Sequence, residues 1–374
     1  MKYFDFNGEK ISRLGYGCMR FPVIDGDNSK IDEEKSEKLL LYAIENGVNY
    51  IDTAYPYHGE NSEKFLRKFL TKNKLRDKIN LISKLPCWMI KEKEDFEKIF
   101  NEQLERLQTD HLDFYLLHSL DLKTFNRVKD LGVLDFISEL KQSGKVRNLG
   151  FSFHDEYDCF VEIINSYDWD FCQIQLNYLD IDYQAGLKGY KLAKEKNIPM
   201  VIMEPVKGGR LATPPSETLE LFEKFKPQSP AQLSIEFPLS LTNVMTVLSG
   251  MNEKEQIDEN IQMADSVEAG NLSEDKKALY DSVRKLYKKR ERIGCTACEY
   301  CMPCTVKINI PKVFRLWNNA YLYDEEDKSK KEFKEYLKDG VSPQECIQCG
   351  KCEKACPQNL EIIDGLQEAL KYLS

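Results

Sequence analysis

"EKSEKLLLYAIENGVNYIDT", residues 34–53, carries the pattern that organises most of the chain. Leu39, Leu40, Ala43 and Ile44 recur at helical spacing among charged residues, and Gly47 stops the run. A short β-rich stretch follows at once and ends on Asp52. Similar runs recur as "RLGYGCMRF" (13–21), "VNYIDT" (48–53), "INLISK" (79–84), "LDFYLLH" (112–118), "VRNLGFS" (146–152), "FCQIQL" (171–176), "MVIMEP" (200–205) and "VMTVLSG" (244–250). Between them "FEKIFNEQLERLQT", "LGVLDFISELKQSG" and "AGLKGYKLAKEKN" repeat the amphipathic helical spacing. Eight near-continuous apolar strands alternating with helices predict an α/β fold, a (β/α)8 TIM barrel. A doubly wound open sheet is the alternative, but no G-x-G-x-x-G follows the first strand. Ahead of the series, "YFDFNGEKIS" has an Asn-Gly turn between two alternating runs and reads as a β-hairpin.

The bulk numbers agree with a folded enzyme-sized chain. At 374 residues, 42% hydrophobic and 31% charged, it has room for about two domains. No apolar run approaches the roughly 20 residues of a membrane helix, and "MKYFDFNGEK" lacks a signal-peptide core. The expected compartment is the cytoplasm. A net charge of −9 argues against nucleic acid or an anionic membrane as partner.

Reactive residues of such barrels sit at the C-terminal ends of strands. Asp52 ends the second predicted barrel strand, Tyr57 lies just past it, Lys84 ends the third and His118 the fourth. Singly, each has an ordinary reading: a helix cap, a surface lysine, a hydrogen-bonded core histidine. Together they are harder to dismiss than any one of them.

"IDTAYPYHGENSE" (51–63), "ISK" (82–84) and "LLH" (116–118), followed by "GFS" (150–152) and "QIQLNYLD" (173–180), resemble the aldo/keto reductase family. "PAQLSIEF…VLSGMNEKEQIDEN" (230–260) continues the likeness, which covers roughly residues 1–270. The resemblance implies NAD(P)H-dependent reduction of a carbonyl, or the reverse, with Tyr57 as general acid. A tyrosine with an ordinary pKa near 10 needs tuning for that task, and a lysine ammonium beside it would lower the value. Asp52 would hold Lys84 charged, and His118 would orient the carbonyl. Tyr55 and Trp88 would wall the pocket or simply pack. The resemblance also implies that Ser152 and Gln173 hold the nicotinamide carboxamide. "EPVKGGRL" (204–211) would pass the pyrophosphate, using Pro205, Lys207, Gly208 and Gly209, with Arg210 as a further cation. Glu259 and Asn260 would lie near the adenine. The chain departs from the family where many members place a Lys and an Arg around a 2′-phosphate: Gly250 and Gln256 stand there, with Lys254 nearby. Phe153 follows the serine where Asn is frequent, and Met203 replaces an expected aromatic. NADPH, NADH and flavin all stay open.

The remaining signal is cysteine. Eight of the 12 lie in "CTACEYCMPC" (295–304) and "CIQCGKCEKACP" (346–357). The second motif, Cys346, Cys349, Cys352 and Cys356 followed by Pro357, matches the bacterial ferredoxin signature. The first, Cys295, Cys298, Cys301 and Cys304, has a shorter last gap and Thr305 in place of proline. Zinc is the other candidate, but zinc ribbons use separated C-x2-C pairs rather than runs of four. Two [4Fe–4S] clusters are therefore expected. The 41 intervening residues read as helices and resemble alpha-helical ferredoxin modules. That likeness implies crossed ligand sets: Cys295, Cys298 and Cys301 with Cys356, and Cys346, Cys349 and Cys352 with Cys304. Cys18, Cys87, Cys159 and Cys172 read as packing residues.

The expected organisation is a barrel over 1–275, a helical connector over 276–294 and an iron–sulfur domain over 295–374. As a whole the chain resembles aldo/keto reductases with a C-terminal ferredoxin-type domain. Nicotinamide moves two electrons as hydride, whereas a cluster takes one at a time. Three functions follow: carbonyl or alcohol chemistry with clusters for electron transfer, sensing or structure; one-electron relay between a ferredoxin-like partner and a flavin or substrate in the barrel; or a non-catalytic redox sensor. The intact tetrad favours an enzyme.

Overall fold

The computed structural model describes residues 1–374. The chain forms two compact units, Met1–Ala212 with Gln228–Ser273, and Thr213–Pro227 with Glu274–Ser374.

In the first unit, β1 (Tyr3–Phe6) and β2 (Glu9–Ser12) form an antiparallel hairpin. Asn7 and Gly8 take left-handed backbone at its turn, as a two-residue hairpin loop requires. Eight strands follow: β3 (Leu14–Gly17), β4 (Tyr50–Asp52), β5 (Asn80–Leu85), β6 (Leu112–Leu120), β7 (Val146–Phe153), β8 (Phe171–Gln175), β9 (Met200–Met203) and β10 (Val244–Ser249). They pair in parallel in chain order, and β10 closes the barrel on β3. Each of the eight expected β-rich runs overlaps one of these strands; β5, β6 and β7 run one or two residues further than expected.

Helices alternate with the strands as the periodicity predicts. α1 (Glu33–Glu45) is capped by the Asp32 carboxylate, which accepts from the Lys35 N–H, and Gly47 turns away with positive φ. α2 (Ser62–Asn73) and α3 (Glu94–Leu107) cover β4 and β5, and α4 (Leu122–Asp130) follows β6. α5 (Val133–Gln142), α6 (Tyr157–Ile164) and α7 (Gly186–Glu195) continue the layer. It closes with α9 (Pro230–Leu239) and α10 (Lys254–Ser266), after the excursion of α8 (Ser216–Phe222).

The barrel interior is packed. Tyr50, Ile82, Phe114, Phe171, Val201 and Met245 form one buried cluster, into which the hairpin inserts Phe6 and Ile11. The Phe6 and Phe114 rings lie 5.5 Å apart. This plug sits at the N-terminal ends of the strands, so polar side chains gather at the opposite mouth.

The second unit is helical: α8 with α11 (Glu274–Arg290), then α12 (Ile310–Leu322), α13 (Glu326–Asp339), α14 (Lys351–Ala355) and α15 (Ile362–Leu373). The expected connector, 276–294, lies mostly within α11, whose Leu279, Tyr280, Val283 and Tyr287 are buried. Arg290 donates to the Tyr321 carbonyl at 2.8 Å and to Glu217 at 2.5 Å, tying α11 to α12 and α8. Phe314, Trp317, Phe333, Tyr336, Leu366 and Leu373 head a small apolar core, against which six of the motif cysteines pack. No helix in the chain is long and apolar enough to cross a membrane.

Candidate functional site

Parallel pairing places Asp52 on β4 beside Ile82 on β5, and Lys84 on β5 beside Leu116 on β6. Three adjacent strand ends thus deliver Asp52, Lys84 and His118 to one place. Lys84 is wholly buried, and its Nζ donates to Asp52 Oδ1 at 2.7 Å, to the Thr53 carbonyl at 2.8 Å and to Tyr57 Oη at 3.3 Å. The Tyr57 ring meets the His118 ring edge-on at 6.1 Å. All four expected residues converge.

Burial alone would drive the Lys84 ammonium down, but the Asp52 carboxylate and the Tyr57 oxygen outweigh it, so its pKa stands above the ordinary lysine value. The Tyr57 phenol is also raised. Burial is the main cause, with Lys84 pulling the other way. The expectation that lysine would leave this tyrosine below 10 is therefore corrected. Lysine acts in the expected direction, and desolvation is larger. The His118 imidazole lies well below its ordinary range through burial, then through the Lys84 charge and His154. The site holds a charged lysine, a protonated phenol and a neutral imidazole.

A further layer fixes Lys84. Glu63 on α2 is fully buried; it accepts from Ser83 at 2.6 Å and from Gln103 on α3 at 2.9 Å. Gln103 also donates to the Lys84 carbonyl at 3.1 Å. Neither Glu63 nor Gln103 was singled out from sequence, because nothing in a helical Glu or Gln distinguishes an inward from an outward turn. Of the two aromatics, Trp88 lies 5.0 Å from the His118 ring while remaining half exposed. Tyr55 turns toward the helices, with the Arg106 guanidinium 3.9 Å over its ring and its hydroxyl on Glu102.

Ser152 and Gln173 are register partners on β7 and β8, both buried. Ser152 Oγ accepts from the Ser119 N–H at 2.7 Å and keeps its own proton to donate. Gln173 Nε2 rests on Met203 Sδ at 3.4 Å, whereas its Oε1 is buried without a donor. An orphaned acceptor beside a hydroxyl donor fits a carboxamide such as that of nicotinamide. Asn260 is buried and donates to Ser249 Oγ, so it secures the end of β10. Glu259 accepts from the Ser229 hydroxyl at 2.9 Å. In the 204–211 loop Pro205 is buried, and Gly208 and Gly209 both have positive φ. Lys207 is paired with Asp180. Sequence reasoning passed over Arg20, whose stem lies across Gly250. Its one signal was a cation immediately beyond a glycine-bearing strand end, "GYGCMR".

In the second unit, Cys295, Cys298, Cys301 and Cys356 line one cavity. A second is lined by Cys304, Cys346, Cys349 and Cys352, and Cys301 lines both. The two motifs share a backbone form. Ala297 and Glu299 flank Cys298 with positive φ, as Gln348 and Gly350 flank Cys349. Lys307 and Asn359, three residues beyond each motif's last cysteine, also have positive φ and donate back to the Cys304 and Cys356 carbonyls. The shorter gap and Thr305 thus leave these positions alike, although the last gap differs: α14 spans it in the second motif and no helix does in the first. Asn318 pins the approach to Cys295, accepting from the N–H groups of Arg292 and Ile293 and donating to the Ile293 carbonyl. Cysteines set around a cavity suit an inorganic core such as an iron–sulfur cluster.

The closed parallel barrel, with polar residues gathered at its strand ends, puts the first unit in the (β/α)8 class. The model of the aldo/keto reductase family matches residues 13–284, and that of a 4Fe-4S dicluster domain matches residues 294–361. The chain belongs to the aldo/keto reductase family and carries a 4Fe–4S domain. It is 24% identical to an L-galactose dehydrogenase of Arabidopsis thaliana, over 70% of this chain and 87% of the relative. An aldo-keto reductase of Mycobacterium avium is 26% identical over 72% of this chain and 89% of its own. Among solved structures, the holo form of an aldo-keto reductase from Bacillus halodurans superposes with a TM-score of 0.63 at 24% identity, covering 75% of this chain and 96% of that one. An aldo-keto reductase from Klebsiella pneumoniae in complex with NADPH gives 0.61 at 20% identity, covering 76% and 95%.

Proposed function

We propose that the barrel reduces the carbonyl of a small molecule with NADPH or NADH, or oxidises the corresponding alcohol, and that the second unit holds two [4Fe–4S] clusters. The observation that carries this reading is the buried Lys84 ammonium between Asp52 and Tyr57, with a neutral His118 beside them. Nicotinamide held by Ser152 and Gln173 would supply hydride to the carbonyl carbon. Tyr57 gives its phenolic proton to the carbonyl oxygen, and Lys84 stabilises the phenolate left behind. His118 presents an N–H to the same oxygen and polarises the carbonyl before transfer. Asp52 touches none of the reacting atoms and acts by keeping Lys84 charged. Trp88, against His118, supplies an apolar wall for the substrate.

The cysteine cavities support crossed ligand sets, each completed by the last cysteine of the other motif. Clusters held there would supply one-electron steps, sensing or structural cross-linking. Because hydride carries two electrons together, exchange between clusters and nicotinamide would call for a flavin to split the pair, with a ferredoxin-like partner exchanging the single electrons. Direct carbonyl reduction needs neither.

The test is anaerobic. Purified protein is assayed for iron, sulfide and flavin, then titrated with NADH and NADPH while the visible cluster band is followed. About eight irons per chain, no flavin, nucleotide binding and an unbleached band are expected. Bleaching by nucleotide would replace direct reduction with the relay reading.

A further inference from the structure

The barrel mouth contains an unused cation. Arg20 follows β3 in a short helical turn, Cys18–Arg20. It is exposed and enters no hydrogen bond or ion pair with the rest of the chain. Its stem is nevertheless fixed in place. A Cβ built on Gly250 would lie 2.6 Å from Arg20 Cβ and 2.7 Å from Cγ, so only glycine fits beneath it. The seam between β3 and the segment after β10 is closed further by Tyr16, whose hydroxyl donates to the Met251 carbonyl at 2.6 Å. From Gly250 the side chain runs toward the 204–211 loop, where Nη2 lies 3.8 Å from the position a Gly208 Cβ would take. The guanidinium is thus held over the backbone of a left-handed glycine turn, with its donors unspent. Of the cations on that loop itself, Lys207 is already paired with Asp180, and Arg210 also has a partner within the chain.

We propose that Arg20 is the phosphate-binding residue of the barrel, and that it grips the diphosphate of a dinucleotide laid across the 204–211 loop. This rests on the nicotinamide reading above and deepens it. Gly250 stands where many relatives carry a cation; here that space holds the Arg20 stem, and the charge arrives from the first barrel strand instead. Because the tip lies at Gly208 and only the stem at Gly250, Arg20 reads the linkage common to NADH and NADPH rather than the 2′-phosphate that separates them. A planar, permanently charged fork suits a diphosphate better than a point charge.

The experiment uses the intact, anaerobically purified protein and calorimetric titration with NADH, NADPH and ADP-ribose. Arg20→Gln keeps the stem over Gly250 and removes the charge. All three ligands should weaken by about tenfold, with the NADPH-to-NADH ratio unchanged, and Arg20→Lys should regain part of the loss. Unchanged affinities would overturn the assignment. A loss confined to NADPH would also overturn it, by moving Arg20 to the 2′-phosphate. Failure of the unsubstituted protein to bind any of the three would sink the nicotinamide reading itself, before any variant is made.

Discussion

In the barrel, Lys84 is wholly buried and three protein oxygens stand within hydrogen-bonding reach of it. In the second unit, Cys298 and Cys349 lie exposed on loops with left-handed residues at both sides. The first set of reactive groups is held by strand ends, a packed interior and a hydrogen-bonded second layer. The second is held by turns around cavities, over a much smaller core. A site of the first kind is complete within the fold. If clusters fill those cavities, a site of the second kind would be completed by its inorganic partner, and the fold around it would depend on that partner more than the barrel does.

The largest effect should come from removing iron. Chelation under reducing conditions is expected to make residues 274–374 sensitive to protease, while the barrel fragments stay resistant. Limited proteolysis followed by mass spectrometry reads the difference. A tail that stays resistant without iron would break the contrast and show that its apolar core suffices.

Within the barrel, Tyr57→Phe removes one oxygen from a site that is otherwise complete. Carbonyl reduction should fall by about a thousandfold, with NADPH or NADH affinity unchanged within about twofold. The tyrosine's raised pKa also sets a pH dependence. The phenol stays protonated through neutral pH, so reduction holds there, while alcohol oxidation climbs as the solution turns alkaline and phenolate appears. Turnover that survives the loss of the hydroxyl would remove Tyr57 from the chemistry.

In the second unit a single sulfur should cost a whole cluster. Cys304→Ser is expected to halve the bound iron and to abolish the signal of the cluster on the second motif, leaving that on the first. Loss of the other signal instead would mean that each motif keeps its own last cysteine. Iron analysis and electron paramagnetic resonance of the reduced protein decide between them.

The two regions also differ in how much of them can be read from the chain. The eight strands were legible to within a residue or two, and so were the four polar residues at or just past their ends, because strand periodicity and the mouth of a barrel are local and regular. The cysteine motifs were legible for the same reason. The sign of the Tyr57 shift was not, since it depends on how completely other parts of the chain exclude water. Arg20 was missed because its partner surface, Gly208 and Gly250, comes from the far end of the barrel sequence. The excursion of α8 to the second unit had no local signal either. Its link to α11 runs through Glu217 and Arg290, which are ordinary helical charges until the chain is folded.

The smallest expected effect concerns acid stability, and it separates the units cleanly. All four histidines lie in the barrel, at 58, 111, 118 and 154, and the second unit has none. Burial holds the His118 and His154 imidazoles below the ordinary value of 6.5, His118 strongly. A base depressed in the folded state contributes fully above its unfolded pKa. As pH falls through 6.5 the unfolded chain takes up a proton that the fold refuses, so the barrel loses stability on acidification. The loss should be on the order of 1 kcal/mol per pH unit just below that point. His118→Gln should flatten the dependence of the barrel's urea midpoint between pH 7 and 5.5, and leave that of the cluster-bearing unit unmoved. An unchanged slope in the variant would mean that His118 accepts its proton in place. The imidazole assigned to the carbonyl would then be neutral only above its ordinary value of 6.5 and charged in more acidic solution.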